Sequence, residues 1–163
     1  MLLTDLIRNA GLNESFDISK KFQSLEITGI ENDSRQTKSG QLFAALPGTR
    51  FDGADFVVDA VKTGASAVLL AHDAELSKDI DESKIALLRS SNIRRDTALI
   101  SAAFYSRQPQ TIIGVTGTNG KTSCVNFTRQ IWELLGLSAA SLGTIGVQRG
   151  DHVVSGSLTT PDS

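Results

Sequence analysis

Three observations predict an α/β fold for this sequence. Between residues 27 and 147, short apolar runs of strand length alternate with longer stretches of helical period. The short runs are flanked by Gly, Pro, Asp or Ser, the residues that punctuate strands. With 163 residues, 40% hydrophobic and 21% charged, the chain has enough apolar material for one good core or two small ones.

The elements follow in chain order. Leu2, Leu3, Leu6, Ile7 and Ala10 share one side of a short amphipathic helix. Asp5 and Arg8 interrupt its apolar pattern, and the basic start and long apolar core of a secretory signal are absent. Strands are expected at residues 41–46, 67–71, 84–89, 111–116 and 139–147. A helix over 55–63 sets Phe56, Ala60 and Val61 near one face and stops at Gly64. A second helix, 92–107, opens on the capping residue Asn92 and carries Ile93, Leu99, Ile100, Ala103 and Phe104 at helical spacing, until Pro109 interrupts it. That interruption sets a domain boundary, dividing the chain into 1–109 and 110–163.

Past the boundary the pattern restarts as strand 111–116, a glycine-rich loop, and helix 122–135 closed by Gly136. Val125, Thr128, Trp132 and Leu135 recur along one helical face, which makes Trp132 a core anchor on the sheet instead of a ligand-stacking ring. Arg149, Gly150 and Asp151 spell an adhesion tripeptide, but between two apolar runs they form a hairpin turn. His72 and His152 have no local partner and are assigned to the surface.

Charge and cysteine content narrow the setting. A net charge of −2 offers no broad positive field for nucleic acid or anionic lipid, so any phosphate recognition is local. No stretch approaches the roughly 20 apolar residues of a membrane span. The single cysteine, Cys124, cannot form an internal disulfide and is expected to be a small buried filler. These features predict a cytoplasmic monomer with neither nucleic-acid nor membrane partners.

The segment TGTNGKT, from Thr116 to Thr122, carries the chemistry. A strand, a glycine-rich turn and a helix in succession bring turn N–H groups and the free N–H groups of the helix start to one point, where the helix dipole favours negative charge. Gly117 and Gly120 allow positive φ and close approach of phosphate oxygens. Lys121 supplies a cation and Thr122 a hydroxyl for Mg²⁺. The strict phosphate-loop pattern places a glycine five residues before Gly120, where this chain has Val115. The alternative is a strand-to-helix turn whose glycines serve the backbone alone.

GVTGTNGKTS, residues 114–123, resembles the ATP-binding loop of the Mur ligases. Residues 32–71 look like the domain with which the later Mur ligases bind the UDP end of a UDP-N-acetylmuramoyl peptide. SLGTIG (141–146) and LTTPDS (158–163) are similar to segments of the members that add the third peptide residue. The resemblance implies a UDP-binding α/β domain followed by the first strand, loop and helix of a phosphate-loop domain with a mainly parallel sheet. It implies ATP and Mg²⁺ as cofactors, with Thr116, Gly117, Thr118, Asn119, Gly120, Lys121 and Thr122 forming the nucleotide loop, Lys121 and Thr122 catalytic, and Thr122 on the metal.

The same resemblance assigns substrate contacts to Ser34 and Arg35, to Thr49, Arg50 and Phe51, and to Thr159 and Thr160. From the residues alone, the Asp33, Ser34, Arg35 segment is equally a structural turn, and Phe51 either stacks on uracil or fills a core. The implied reaction joins meso-diaminopimelate or L-lysine to UDP-N-acetylmuramoyl-L-alanyl-D-glutamate through an acyl phosphate. The ligase that adds D-alanyl-D-alanine and a self-contained phosphate-loop module are the alternatives. The family's downstream metal ligands, modified lysine and C-terminal domain have no counterpart here, so an N-terminal fragment inactive in ligation is expected.

Overall fold

The computed structural model describes residues 1–48 and 51–154. The chain divides into two compact units, one spanning Met1–Gln108 and the other beginning at Pro109.

Four parallel strands organise the first unit: β1 (Gly29–Glu31), β2 (Gln41–Ala44), β3 (Ala67–Ala71) and β4 (Ala86–Ser90), lying side by side in that order. Parallel neighbours cannot be joined by a tight turn, so the connections cross over the sheet. The helix that lies in the chain between β2 and β3 covers one face, while helices before β1 and after β4 cover the other. The helices α1 (Leu3–Asn9) and α3 (Ile93–Phe104) belong to the core on one face, and α2 (Val57–Thr63) to the core on the other. β3 serves both. Ala67 and Leu69 join the α1 and α3 side, Val68 and Leu70 join the α2 side, and all four are fully buried. That is why β3 is an unbroken apolar run with no polar alternation. Each buried leucine contributes about 2 kcal/mol by the area it removes from water.

Local chemistry ends the helices where the residues allow. α2 stops at Gly64, whose φ of 118° lies in the left-handed region. Asn92 caps α3 by accepting from Arg95 N at 3.3 Å, and buried Asp96 accepts from Ser90 Oγ at 2.6 Å. α3 ends at Phe104, short of the expected 107, because Tyr105 leaves helical geometry and Gln108 Nε2 donates to its carbonyl at 2.7 Å. The amphipathic start is confirmed as α1, with Leu3, Leu6, Ile7 and Ala10 buried and Leu2 exposed.

The second unit departs further from expectation. It contains helix α4 (Lys121–Leu134) and an antiparallel meander, β5 (Ser141–Gly143), β6 (Gly146–Arg149) and β7 (His152–Val154). The expected strand 139–147 is thus a hairpin, broken by a turn at Thr144 and Ile145 and by Gly146 at φ 98°. The parallel sheet among the described residues is the four-stranded one of the first unit. Residues 111–116 form no strand: nothing among the described residues pairs with them, and Ile112 and Ile113 are 78% and 56% exposed.

α4 has no fully buried residue. Trp132 is half-buried, Leu135 is exposed, and Cys124 is exposed, which corrects its assignment as a buried filler. The helix is tied to the hairpin through Glu133, which accepts from Arg129 at 2.6 Å and from Gly150 N at 3.0 Å. These two bonds, led by the Gly150 N–H, hold the Glu133 carboxyl below its ordinary range. Gly150 and Asp151 form the turn between β6 and β7. Among the described residues no helix is long and apolar enough to cross a membrane.

Gly53 shows how tightly the segment after β2 is folded. A Cβ there would lie 2.4 Å from Ala45 C and 2.5 Å from Leu46 O, both backbone atoms with nowhere to go. Gly53→Ala is therefore expected to destabilise the first unit by about 3 kcal/mol. Urea unfolding should show a lower midpoint at unchanged slope, and an unaltered midpoint would contradict this packing.

Candidate functional site

Two places concentrate the expected site residues, one in each unit. In the first unit both segments involved leave the carboxyl ends of parallel strands, the edge at which open parallel sheets present their ligand crevices.

The first segment follows β1. Glu31 Oε1 accepts from the N–H groups of Asn32 and Asp33 at 2.9 and 3.1 Å, turning the chain sharply. Asp33 then accepts from Arg35 three times: from the backbone N at 3.0 Å, from Nε at 2.9 Å and from Nη2 at 2.7 Å. The Arg35 side-chain bonds, more than its charge, hold the Asp33 carboxyl far below the usual carboxylate range. Arg35 is therefore engaged bidentately within the turn while its side chain remains 86% exposed. Ser34 is buried between these residues, its carbonyl accepting from Thr63 Oγ1 at 3.3 Å. Among the described residues its own hydroxyl has no partner.

The second segment follows β2. Its neck is closed by Gly53 N donating to Leu46 O at 3.1 Å and Gly48 N donating to Phe51 O at 2.9 Å. Arg94 reaches from α3 to donate to Pro47 O at 2.5 Å. Asp52 caps the following turn by accepting from Ala54 N at 3.0 Å. Phe51 is 68% exposed, its ring edge-on to Phe56 at 6.1 Å. Of the two readings of Phe51, core filling is thereby removed. Thr49 and Arg50 lie outside the described residues, as do Thr159 and Thr160.

In the second unit, Gly117 and Gly120 have φ of 144° and 77°, and a Cβ on Gly120 would meet nothing within 4 Å. The two glycines serve conformation and openness, not close packing. Gly120 is the N-cap of α4 and no side chain caps the helix, so the N–H groups of its first turn face outward beside the exposed residues 116–122. Lys121 Nζ folds back to donate to Gly117 O. Thr122 Oγ1 lies 3.2 Å from Thr144 Oγ1 in the turn between β5 and β6. A cavity of about 180 Å³ opens beside them, lined by Lys121, Thr122, Asn126, Ser141, Thr144 and Gln148 among others.

Uncapped N–H groups, an ammonium bound only to a backbone carbonyl and a hydroxyl gathered at the start of a 14-residue helix fit a polyphosphate with its cation. Among the described residues no three of His, Cys, Asp or Glu gather to hold a metal by themselves. Sequence reasoning missed Arg94 and Thr144. Neither is signalled by spacing, since each acts on a residue 47 or 22 positions away.

Comparison with known proteins narrows what these sites belong to. The family model described as Mur ligase family, catalytic domain, matches residues 26–108. The chain is 46% identical over 162 residues to the UDP-N-acetylmuramoyl-L-alanyl-D-glutamate--2,6-diaminopimelate ligase of Bradyrhizobium diazoefficiens, covering 99% of this chain and 31% of that protein. The ligase of the same name from Rhizobium meliloti is 43% identical, with 99% and 32% covered. A solved structure of a ligase of that name superposes with a TM-score of 0.67 at 24% identity, over 90% of this chain and 29% of the other, which shows a shared fold. MurF from Acinetobacter baumannii gives a TM-score of 0.52 at 31% identity, over 67% of this chain and 23% of the other. The chain spans about a third of the length of the curated relatives it matches.

The turn after β1 makes a prediction about acid. Because Asp33 is held below its ordinary value of 3.8, its contribution to stability is complete above that value and is lost as pH falls through the lower one. Carboxyl-carbon NMR should find Asp33 titrating well below 3.8, and Arg35→Ala should raise the midpoint towards it. A midpoint indifferent to Arg35 would mean the bidentate pair is absent in solution.

Proposed function

Because the chain belongs to the Mur ligase family, we propose that it supplies the uridine-nucleotide-binding and ATP-binding parts of the ligase that adds the third residue to UDP-N-acetylmuramoyl-L-alanyl-D-glutamate. The observation that carries the reading is the uncapped start of α4, with Gly117 and Gly120 in open positive-φ conformations and Lys121 and Thr122 beside them. The chain's likeness to ligases named for 2,6-diaminopimelate favours that amino acid over L-lysine, and over D-alanyl-D-alanine as the added unit.

In the proposed reaction the substrate carboxylate attacks the γ-phosphorus of ATP, ADP leaves, and the incoming amine displaces phosphate from the resulting acyl phosphate. The chain's own groups bind and neutralise. The N–H groups of 117–122 donate to phosphate oxygens and the α4 dipole favours their charge, with Thr116, Thr118 and Asn119 completing the loop. Lys121 swings from Gly117 O onto phosphate oxygens, offsetting charge that grows during transfer. Thr122 would hold Mg²⁺ through its hydroxyl, and the cation would supply neutralisation of phosphate charge.

In the first unit, buried Ser34 with its unpartnered hydroxyl offers a hydrogen bond to the UDP-sugar, and Arg35 acts by holding that turn through Asp33. Exposed Phe51 stacks on the uracil, with Thr49 and Arg50 as its neighbours in the same contact region and Thr159 and Thr160 contacting the rest of the substrate.

Two measurements test the reading. Calorimetry should detect UDP binding, and Phe51→Ala should weaken it roughly tenfold, the scale of one aromatic-base stack, whereas Phe51→Trp retains it. Lys121→Ala should abolish ATP-dependent amide formation in the protein expressed from its complete reading frame. Steady nucleotide hydrolysis that ignores UDP-sugars would instead support a self-contained nucleotide module and overturn the proposal.

A further inference from the structure

Three threonines within the helices of this chain donate to the same kind of partner. Thr97 Oγ1 donates back to Ile93 O at 2.7 Å, Thr128 Oγ1 to Cys124 O at 2.8 Å, and Thr63 Oγ1 to Asp59 O at 3.0 Å. Each carbonyl lies four residues earlier on the same helix, the local bond that β-branched hydroxyls make there. Thr122 stands too early in its helix for that bond, as does Thr4 near the start of α1, whose Oγ1 donates to Gln23 O at 3.0 Å. Thr122 is the second residue of α4, so the residue four positions back, Thr118, precedes the helix. Among the described residues its hydroxyl has one partner, Thr144 Oγ1 at 3.2 Å.

From this geometry we infer that Thr144 is a positioning residue for the metal-binding hydroxyl of Thr122; the inference rests on the reading of Thr122 given above. A hydroxyl has one proton and two lone pairs. When Thr122 directs a lone pair at a divalent cation, its proton points away from that cation and needs an acceptor. Thr144 Oγ1 is placed to accept it. The cation polarises the Thr122 O–H bond, which strengthens donation to Thr144, and the bond in turn keeps Thr122 in the rotamer that faces the cation. Loss of the acceptor leaves the proton to solvent and the rotamer unspecified.

The acceptor is itself held. Thr144 sits in the two-residue turn of the β5–β6 hairpin, between the paired residues Gly143 and Gly146. Ser141, at the base of the same hairpin, is buried and donates to Asn126 Oδ1 on α4 at 3.4 Å, and Ala139 before it is buried as well. One helix therefore carries both the metal-facing hydroxyl and the anchor of the hairpin that orients it.

The test uses the protein expressed from its complete reading frame, with Mn²⁺ as the metal probe and ADP as the nucleotide. Free Mn²⁺ is followed by electron paramagnetic resonance, and metal-free ADP binding by calorimetry in chelator. Thr144→Val should weaken Mn²⁺ binding in the presence of ADP about tenfold, the lower end of what lost outer-shell partners cost. It should leave metal-free ADP affinity within about twofold, and Thr144→Ser should restore metal binding, because the hydroxyl returns. Wild-type metal affinity in Thr144→Val, or equal loss with and without metal, overturns the inference while leaving the ATP-site reading intact. If Thr122→Ala also binds Mn²⁺ as tightly as wild type, the metal assignment of Thr122 falls, and this inference with it.

Discussion

Parallel pairing is the constraint on which the first unit depends. Four strands running the same way cannot turn back on themselves, so every connection must climb over a face of the sheet, and the chain leaves each strand at the same edge. Covering both faces requires Val68 and Leu70 to be as apolar as Ala67 and Leu69, which removes polar alternation from β3. The same geometry delivers the turn after β1 and the loop after β2 to one edge. Neither segment is left loose. Glu31 and Asp33 collect the N–H groups of the turn, and the contacts of Gly53 with Ala45 and Leu46 close the loop without room for a methyl group.

A different device serves the second unit. The chain carries a net charge of −2, so a polyphosphate finds no attractive field at long range. What it finds is local: N–H dipoles at an uncapped helix start, exposed by glycines that leave space in front of the backbone. Side-chain capping at Gly120 would satisfy those donors and remove the site. The helix start is thus poorly satisfied by its own chain for the reason that suits it to an external anion.

How much of this was legible in the sequence depends on where each element finds its partners. The run 67–71 matches β3 residue for residue because a doubly covered strand must be apolar throughout, and its neighbours Ser66 and His72 are not. Gly64 and Asn92 were legible as helix ends because caps are local chemistry. β1 escaped notice, since three residues show no period. Residues 111–116 failed in the opposite sense: their apolar letters suit a strand, but a strand exists only when another pairs with it, and none among the described residues does. Trp132 was placed by helical spacing, which gives a face but not what covers it. The glycine-rich loop was visible as a motif. Thr144 was visible only as a letter in SLGTIG, because its relation to Thr122 is created by the hairpin turn at 144 and 145.

Resemblance and geometry also divide the labour among residues in a way that motif reading does not. Arg35 stands in a segment expected to touch an anionic substrate, where an arginine suggests direct pairing with phosphate. In the fold its guanidinium already makes two side-chain bonds to Asp33, and a phosphate would have to compete with both. The less conspicuous neighbour, Ser34, is buried with a hydroxyl that no described residue uses. A charged side chain can therefore act by fixing a turn while a small neutral one keeps a hydroxyl that no described residue engages. The same logic applies at Thr122 and Thr144, where one hydroxyl orients another. In both units, which polar groups the fold has left unsatisfied depends on distances between residues far apart in sequence.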